Sequence, residues 1–133
     1  MKTLFKSSLA IIRNNKLLLL REFEQDKLIT PGGQIEDNES AIESLKREMM
    51  EELGTEIDTN SLKYIGKFED IAAGKKDTKI NIQLFLGEVV GEMKPANEIK
   101  ELIWFGKNDD WNTLSPMLKN KILPTLIEKG YIK

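Results

Sequence analysis

The first two apolar runs of the chain, residues 4–13 and 16–22, are separated by the turn-forming pair Asn14-Asn15. Residues 4–13 are rich in β-forming residues, so the two runs together predict a β-hairpin. The second run contains four consecutive leucines and is also compatible with a helix. Further on, residues 30–33 read Thr-Pro-Gly-Gly. This segment predicts a loop, because proline and glycine break both regular structures.

Residues 40–53 have the periodicity of an amphipathic helix. Ile42, Leu45, Met49 and Leu53 recur at helical spacing and predict one buried stripe that packs on a core. Gly54 follows directly, as expected of a helix C-cap.

The remaining segments predict strands followed by a terminal helix. Residues 62–72 and 79–90 indicate two strands, the second with strict alternation, and residues 74–77 indicate the turn between them. Residues 102–105 indicate a short strand and residues 106–112 a loop. Residues 116–129 indicate a helical region that Pro124 kinks or breaks. Strands on both sides of a central helix predict a mixed α/β domain, and without linkers or repeats residues 1–133 are expected to form a single domain.

Composition narrows the functional classes. The 133 residues are 40% hydrophobic and 32% charged, with a net charge of -2, as in an ordinary soluble protein without a basic surplus for general nucleic-acid binding. The chain has no cysteine and no histidine, which excludes disulfides, thiol nucleophiles and imidazole chemistry. The apolar runs are too short to span a membrane, and residues 1–6 do not resemble the start of a signal peptide. We therefore expect a cytoplasmic protein whose chemistry uses carboxylates, lysines, hydroxyls or a hard metal ion.

Three glutamates, Glu48, Glu51 and Glu52, lie close together in the predicted helix. At about 100° per residue they project onto one surface, roughly a quarter-turn from the apolar stripe. Their mutual repulsion destabilises the helix end unless a cation is present, and clustered carboxylates select Mg²⁺ or Mn²⁺. The alternative is a solvated acidic face partly neutralised by Arg47. The preceding Gly-rich segment favours the metal site, because its backbone N–H groups could approach the anionic groups of a phosphate-bearing substrate.

The spacing of these residues matches a known signature of 23 positions. Residues 33–55 contain every polar and glycine position of that pattern, namely Gly33, Glu39, Arg47, Glu48, Glu51, Glu52 and Gly54. The segment resembles the Nudix box of the Nudix hydrolase family. One position departs from the pattern: Thr55 stands where the family usually has an aliphatic residue, a change that affects packing more than chemistry.

The resemblance implies an α/β/α sandwich around a mixed β-sheet and a hydrolase of nucleoside diphosphates linked to another group. Carried over by position, Glu48, Glu51 and Glu52 are expected to bind Mg²⁺, with Mn²⁺ as the alternative, and one of them or a glutamate outside the box is the general base. Arg47 and Glu39 are expected to pair and orient the ligands, and Gly33 to provide a tight backbone turn. A further acidic ligand often comes from a later loop. Glu98 is the preferred candidate, and the alternatives are Glu101, Glu92 and Glu88.

The box does not identify the substrate. Ile71 stands where ADP-ribose pyrophosphatases tend to have proline, and Ala72 and Ala73 where diadenosine polyphosphate hydrolases tend to have tyrosine. A small MutT-like enzyme that hydrolyses nucleoside triphosphates to the monophosphate and pyrophosphate is therefore favoured. The alternatives are an ADP-ribose, nucleotide-sugar or dinucleotide pyrophosphatase and a non-catalytic nucleotide-binding module.

Aromatic residues near the C-terminus could contact a nucleotide base. Phe105, Trp111 and Asn112 are available for base recognition, although a packing role is favoured for Trp111, and Trp104 is expected in the core. Many relatives dimerise, so a homodimer is an alternative to a monomer.

Overall fold

The computed structural model describes residues 1–72 and 75–133. The strands within these ranges are β1 (Lys2–Ala10), β2 (Ile12–Arg13), β3 (Lys16–Glu22), β4 (Gly32–Gln34), β5 (Ile57–Ala72), β6 (Lys75–Val89) and β7 (Ile99–Gly106). The helices are α1 (Ala41–Leu53) and α2 (Leu123–Glu128), with a 3-10 turn at Trp111–Thr113 and a π-helical turn at Leu118–Ile122.

The strands form two sheets. In the larger sheet the order is β4-β1-β6-β5, with β1 parallel to β6 and the other pairs antiparallel. In the smaller sheet β3 pairs with β2 and with β7, both antiparallel. The larger sheet is therefore mixed, as the family resemblance implied.

The leucine run is a strand. Leu17, Leu18, Leu19 and Leu20 are all fully buried in β3. Leu17 and Leu19 belong to one hydrophobic cluster and Leu18 and Leu20 to another, so the strand is covered on both faces. A strand buried on both sides has a continuous apolar run instead of alternation, and the run therefore did not distinguish strand from helix.

The predicted hairpin is shorter than expected. Only β2 pairs with β3, through a two-residue turn in which Asn14 and Asn15 have φ of 52° and 62°. Both are left-handed, as in the hairpin turns that match the twist of the flanking strands. The preceding strand β1 belongs to the larger sheet, so this part of the chain crosses from one sheet to the other.

Helix α1 begins one residue after the predicted start and ends as predicted. Ser40 is the N-cap and forms a capping box with Glu43, and Gly54 is the C-cap in the left-handed conformation, with φ of 66°. Leu45, Met49 and Leu53 pack on the cluster that contains Leu18 and Leu20. Ile42 was predicted in the same stripe, but it remains 39% exposed because it lies in the first helical turn, at the end of that stripe.

The C-terminal helical segment covers the opposite side of the sheets. Leu118, Ile122, Leu123 and Leu126 are buried in the cluster that contains Leu17 and Leu19. With α1 on one side and this segment on the other, the protein has the predicted α/β/α arrangement. The predicted disturbance at Pro124 takes the form of the preceding π-helical turn, because proline has no N–H to continue the α-helical ladder.

Two predicted connections differ from the structure. Residues 30–33 do not form a continuous loop, because Gly32 and Gly33 belong to the short edge strand β4, where two glycines are tolerated. Lys75, Lys76 and Asp77 were predicted in a turn but belong to β6. The turn prediction at Gly74 lies outside the described residues. No helix in the described parts of the chain has the length and apolar character needed to cross a membrane.

Candidate active site

Strand β4 approaches helix α1 at Glu52. The backbone N–H of Gly32 donates a hydrogen bond to Glu52 Oε1 at 2.9 Å. Glu52 is only 2% exposed and lies on the buried side of the helix. A peptide N–H is a donor with fixed orientation, so this contact holds the Glu52 carboxylate in one position.

A network around Arg47 positions Glu48. Arg47 Nε and Nη2 donate to the two oxygens of Glu39 at 2.8 and 3.0 Å, and Nη1 donates to Glu48 Oε1 at 2.7 Å. Arg47 Nη2 also donates to the carbonyl of Gln34 at 3.1 Å. The expected pairing of Arg47 with Glu39 is therefore present. The bidentate contact fixes the guanidinium plane, which in turn directs the Glu48 carboxylate.

Gly33 lies directly beside Glu48. A Cβ atom on Gly33 would stand 2.5 Å from Glu48 Oε1, well inside van der Waals contact. Glycine is required here because any side chain would displace the carboxylate. The tight backbone turn predicted at Gly33 is not found, because Gly33 belongs to strand β4.

The loop that carries Glu98 is attached to the end of α1. Lys94 N–H donates to the carbonyl of Leu53 and Ala96 N–H to that of Glu52, both at 3.0 Å, and Asn97 Nδ2 donates to that of Glu51 at 2.7 Å. Carbonyls at a helix C-terminus have no partner within the helix, and this loop satisfies three of them. The attachment places Glu98 beside the helix end.

These elements bring three carboxylates together. One oxygen from each of Glu48, Glu52 and Glu98 lies within 4.8 Å of the others. Glu98 was the preferred candidate outside the box, and the structure places it in this cluster. Its alternatives lie elsewhere: Glu88 forms a salt bridge with Arg13 at 2.8 Å, and Glu101 forms one with Arg21 at 2.7 Å.

Glu51 and Glu92 do not join the cluster formed by the described residues. The side chain of Glu51 is 51% exposed, and its nearest cationic partner, Arg47, is 3.9 Å away. The expectation that Glu48, Glu51 and Glu52 share one surface away from the stripe was wrong, because Glu48 and Glu52 lie on the buried side of α1. Glu92 is exposed.

Burial and neighbouring charges perturb the protonation of the cluster. Burial, with the nearby carboxylates of Glu48, Glu98 and Glu22, raises the pKa of Glu52 to about 9. Burial also raises the pKa of Glu48, although its contact with Arg47 opposes the change. In contrast, the hydrogen bond from Arg47 lowers the pKa of Glu39 to about 2. Two neighbouring buried carboxyl groups with raised pKa values form a site whose ionised state a bound cation would stabilise.

A cleft opens beside the cluster, between the larger sheet and the C-terminal helical segment. Gly32 lies in its wall, so the cleft and the carboxylates share strand β4. Its apolar walls are formed by Ile29, Ile71, Ile80, Ile82, Met117, Leu118 and Ile122, and its polar groups belong to Lys6, Ser8, Thr30 and Ser115.

The aromatic candidates do not line this cleft. Phe105 is 2% exposed and belongs to the core. Trp111 packs at the edge of that core and donates from Nε1 to the carbonyl of Lys107 at 2.7 Å, which makes it the anchor of its loop. Trp104 is partly buried, and the Arg13 guanidinium lies 5.4 Å from its ring centre. Asn112 contacts Lys27 and Lys119.

Sequence reasoning missed three contributors to the site: the N–H of Gly32, the amide of Asn97 and the cleft residue Lys6. Asn97 had one usable signal, because asparagine tolerates the left-handed conformation that it adopts here, with φ of 54°. Thr55, the one departure from the family pattern, is 5% exposed, and its hydroxyl accepts a hydrogen bond from Gly91 N–H at 3.0 Å. This hydrogen bond satisfies the buried Thr55 hydroxyl, the polar group that an aliphatic residue at this position would lack.

The chain is similar in sequence pattern and in fold to known proteins. The family model described as NUDIX domain matches residues 4–122. No curated protein matches the chain. Among solved structures, the MutT protein of Methanosarcina mazei Go1 is 23% identical, with a TM-score of 0.75 over 97% of this chain and 96% of that one.

Two further structures are similar. The mutator MutT protein of Bacillus halodurans is 25% identical, with a TM-score of 0.66 over 96% of this chain and 81% of that one. A UDP-X diphosphatase is 19% identical, with a TM-score of 0.68 over 98% of this chain and 65% of that one.

Proposed function

The chain belongs to the Nudix family and is a hydrolase acting on pyrophosphate bonds, and we propose that it converts nucleoside triphosphates to the monophosphate and pyrophosphate with the help of Mg²⁺. The convergence of Glu48, Glu52 and Glu98 within 4.8 Å, beside a cleft that shares strand β4 with them, is the observation that carries the proposal. Residues 1–133 form the one catalytic domain of this proposal.

The donor set fits a hard divalent cation. Mg²⁺ and Mn²⁺ prefer carboxylate oxygens, and all three groups of the cluster offer them. A buried carboxyl such as Glu52, which retains its proton without a partner, is stabilised in its ionised form by a bound cation. Glu48, Glu52 and Glu98 would hold the metal directly. Glu51 is exposed at the rim of the cluster, and in this proposal it would bind a cation from the solvent side when substrate is bound.

The bound cation would neutralise charge on the phosphate oxygens and lower the pKa of a coordinated water. The protein's own groups orient the carboxylates. The Gly32 N–H donates to Glu52, and Arg47, which also donates to Glu39, donates to Glu48. Gly33 leaves room for the Glu48 carboxylate. A carboxylate at the site accepts the proton of the attacking water while the P–O bond to the leaving group breaks, so that one triphosphate and one water give monophosphate and pyrophosphate.

Chromatographic product analysis tests the proposal. The protein is incubated with Mg²⁺ and a panel of nucleoside triphosphates, ADP-ribose, nucleotide sugars, dinucleotides and NADH. We expect the triphosphates to yield monophosphate and pyrophosphate, with turnover lost in Glu52→Gln and retained in Glu56→Gln, an exposed carboxylate outside the cluster. Turnover of nucleotide sugars, ADP-ribose or dinucleotides alone would replace this substrate assignment. Binding without any turnover would identify a non-catalytic module.

A further inference from the structure

The cleft beside the carboxylate cluster has an unusual set of polar groups. Its lining includes the hydroxyls of Ser8, Thr30 and Ser115 and one charged side chain, Lys6. None of the described lining residues is a carboxylate, an amide or an aromatic residue. A base in this cleft would therefore be held between aliphatic side chains, and its polar edge would meet hydroxyls or an ammonium group.

Lys6 is held in the cleft wall by strand pairing. In β1 it pairs with Ile82 of β6 on one side and with Gln34 of β4 on the other. Ile82, only 6% exposed, belongs to the same wall. Lys6 also lines the adjoining cavity that contains Glu22 and Lys27. Within residues 1–72 and 75–133 no salt bridge joins Lys6 to a carboxylate.

Hydroxyl and ammonium groups differ in what they can distinguish. A serine or threonine hydroxyl both donates and accepts, so it can satisfy either a carbonyl or an amino group on a base. A lysine ammonium group only donates, so it satisfies a carbonyl oxygen and is unfavourable beside an amino group. Lys6 is thus the one side chain among the described residues of the cleft that can only donate.

We propose that Lys6 selects nucleotides whose base carries a keto oxygen, O6 of guanine or O4 of uracil and thymine, over those with an amino group, N6 of adenine or N4 of cytosine. This inference rests on the proposed function for its assignment of the cleft to the base. Loss of a hydrogen bond from a charged donor lowers the affinity of the favoured ligand by about tenfold to a hundredfold.

The test compares kcat/KM for UTP, GTP, ATP and CTP in wild type, Lys6→Met and Lys6→Gln. We expect wild type to prefer UTP and GTP by about tenfold or more, and Lys6→Met to lose that preference by losing activity on these two substrates. Lys6→Gln, whose amide offers a donor and an acceptor, should reduce the preference for UTP and GTP over ATP and CTP. Lys67→Met is the matched control, because it removes an exposed lysine from the other face of the same sheet.

A uniform fall for all four triphosphates would show that Lys6 contacts the phosphates and would overturn the inference. Equal rates on all four substrates in wild type would also contradict it. If no triphosphate is hydrolysed, the proposed function fails and binding decides the role of Lys6. In that case UMP and GMP should raise the thermal midpoint more than AMP and CMP, and only in the presence of Lys6. Equal shifts, or none, would overturn it.

Discussion

The substitution Glu52→Gln should remove activity and yet stabilise the metal-free protein at alkaline pH. Glu52 is 2% exposed, accepts a hydrogen bond from Gly32 N–H, and has its pKa raised from 4.5 to about 9 by burial and neighbouring carboxylates. A glutamine has nearly the same shape, keeps an oxygen for the Gly32 N–H and carries no charge. The substitution therefore tests the charge alone.

The direction of this pH dependence of stability follows from proton binding to Glu52. Between pH 4.5 and 9 the folded protein retains a proton on Glu52 that the unfolded chain has lost, so stability falls as pH rises. At pH 8 this linkage lowers the free energy of unfolding of the wild type by at most about 5 kcal/mol, and at pH 5 by less than about 1 kcal/mol. Relaxation and water penetration reduce this maximum, and we expect Glu52→Gln to gain roughly 1 to 3 kcal/mol at pH 8 relative to pH 5.

The assay is urea unfolding in EDTA at pH 5 and pH 8, for wild type, Glu52→Gln and the control Glu56→Gln. The control should differ from wild type by less than about 0.5 kcal/mol at both pH values. Adding Mg²⁺ at pH 8 should stabilise wild type but have little effect on Glu52→Gln, because a ligand stabilises the state that binds it. A gain for Glu52→Gln that is equal at both pH values would refute the reasoning.

Three further predictions concern the groups that support the cluster. Gly33→Ala should lower kcat by tenfold or more in a folded protein, because its methyl group displaces Glu48, and circular dichroism with steady-state kinetics checks this. Arg47→Lys should lower kcat by about tenfold to a hundredfold with a smaller change in KM, since lysine cannot make the bidentate contact; unchanged kinetics would contradict this. Glu39→Gln should be less stable than wild type at neutral pH. Because the folded-state pKa of Glu39 is lowered to about 2, this difference should shrink as pH falls from 4.5 towards 2 in a denaturation series.

The sequence predicted what depends on local spacing. Helix α1 covers the predicted segment and ends at the predicted C-cap Gly54, because capping and apolar periodicity are properties of neighbouring residues. The contact between Arg47 and Glu39 also joins the helix to its adjacent loop. The family resemblance added the sandwich architecture, which a single sequence does not reveal by periodicity.

What the sequence did not predict depends on contacts between distant segments. The placement of Glu48 and Glu52 on the buried side of α1, with Glu51 outside, follows from the approach of strand β4 to the helix. A helical wheel gives angles but not the position of the covering strand. The role of Gly32 belongs to its backbone N–H, a group that every residue except proline carries, so the residue type carried no signal. Lys6 reaches the cleft only through the parallel pairing of β1 with β6, about 75 residues later in the sequence.

The loop that follows β6 makes the last turn of α1 and the Glu98 segment one cooperative unit. Helix ends normally fray first, yet here the carbonyls of Glu51, Glu52 and Leu53 are occupied by Asn97, Ala96 and Lys94. Opening the loop and unwinding the last turn of α1 are therefore expected to occur together. This local opening would separate the carboxylates of the cluster without requiring the sheets to unfold. The population of the assembled site is then expected to follow this local equilibrium, which amide hydrogen exchange at Lys94 and Ala96 would report.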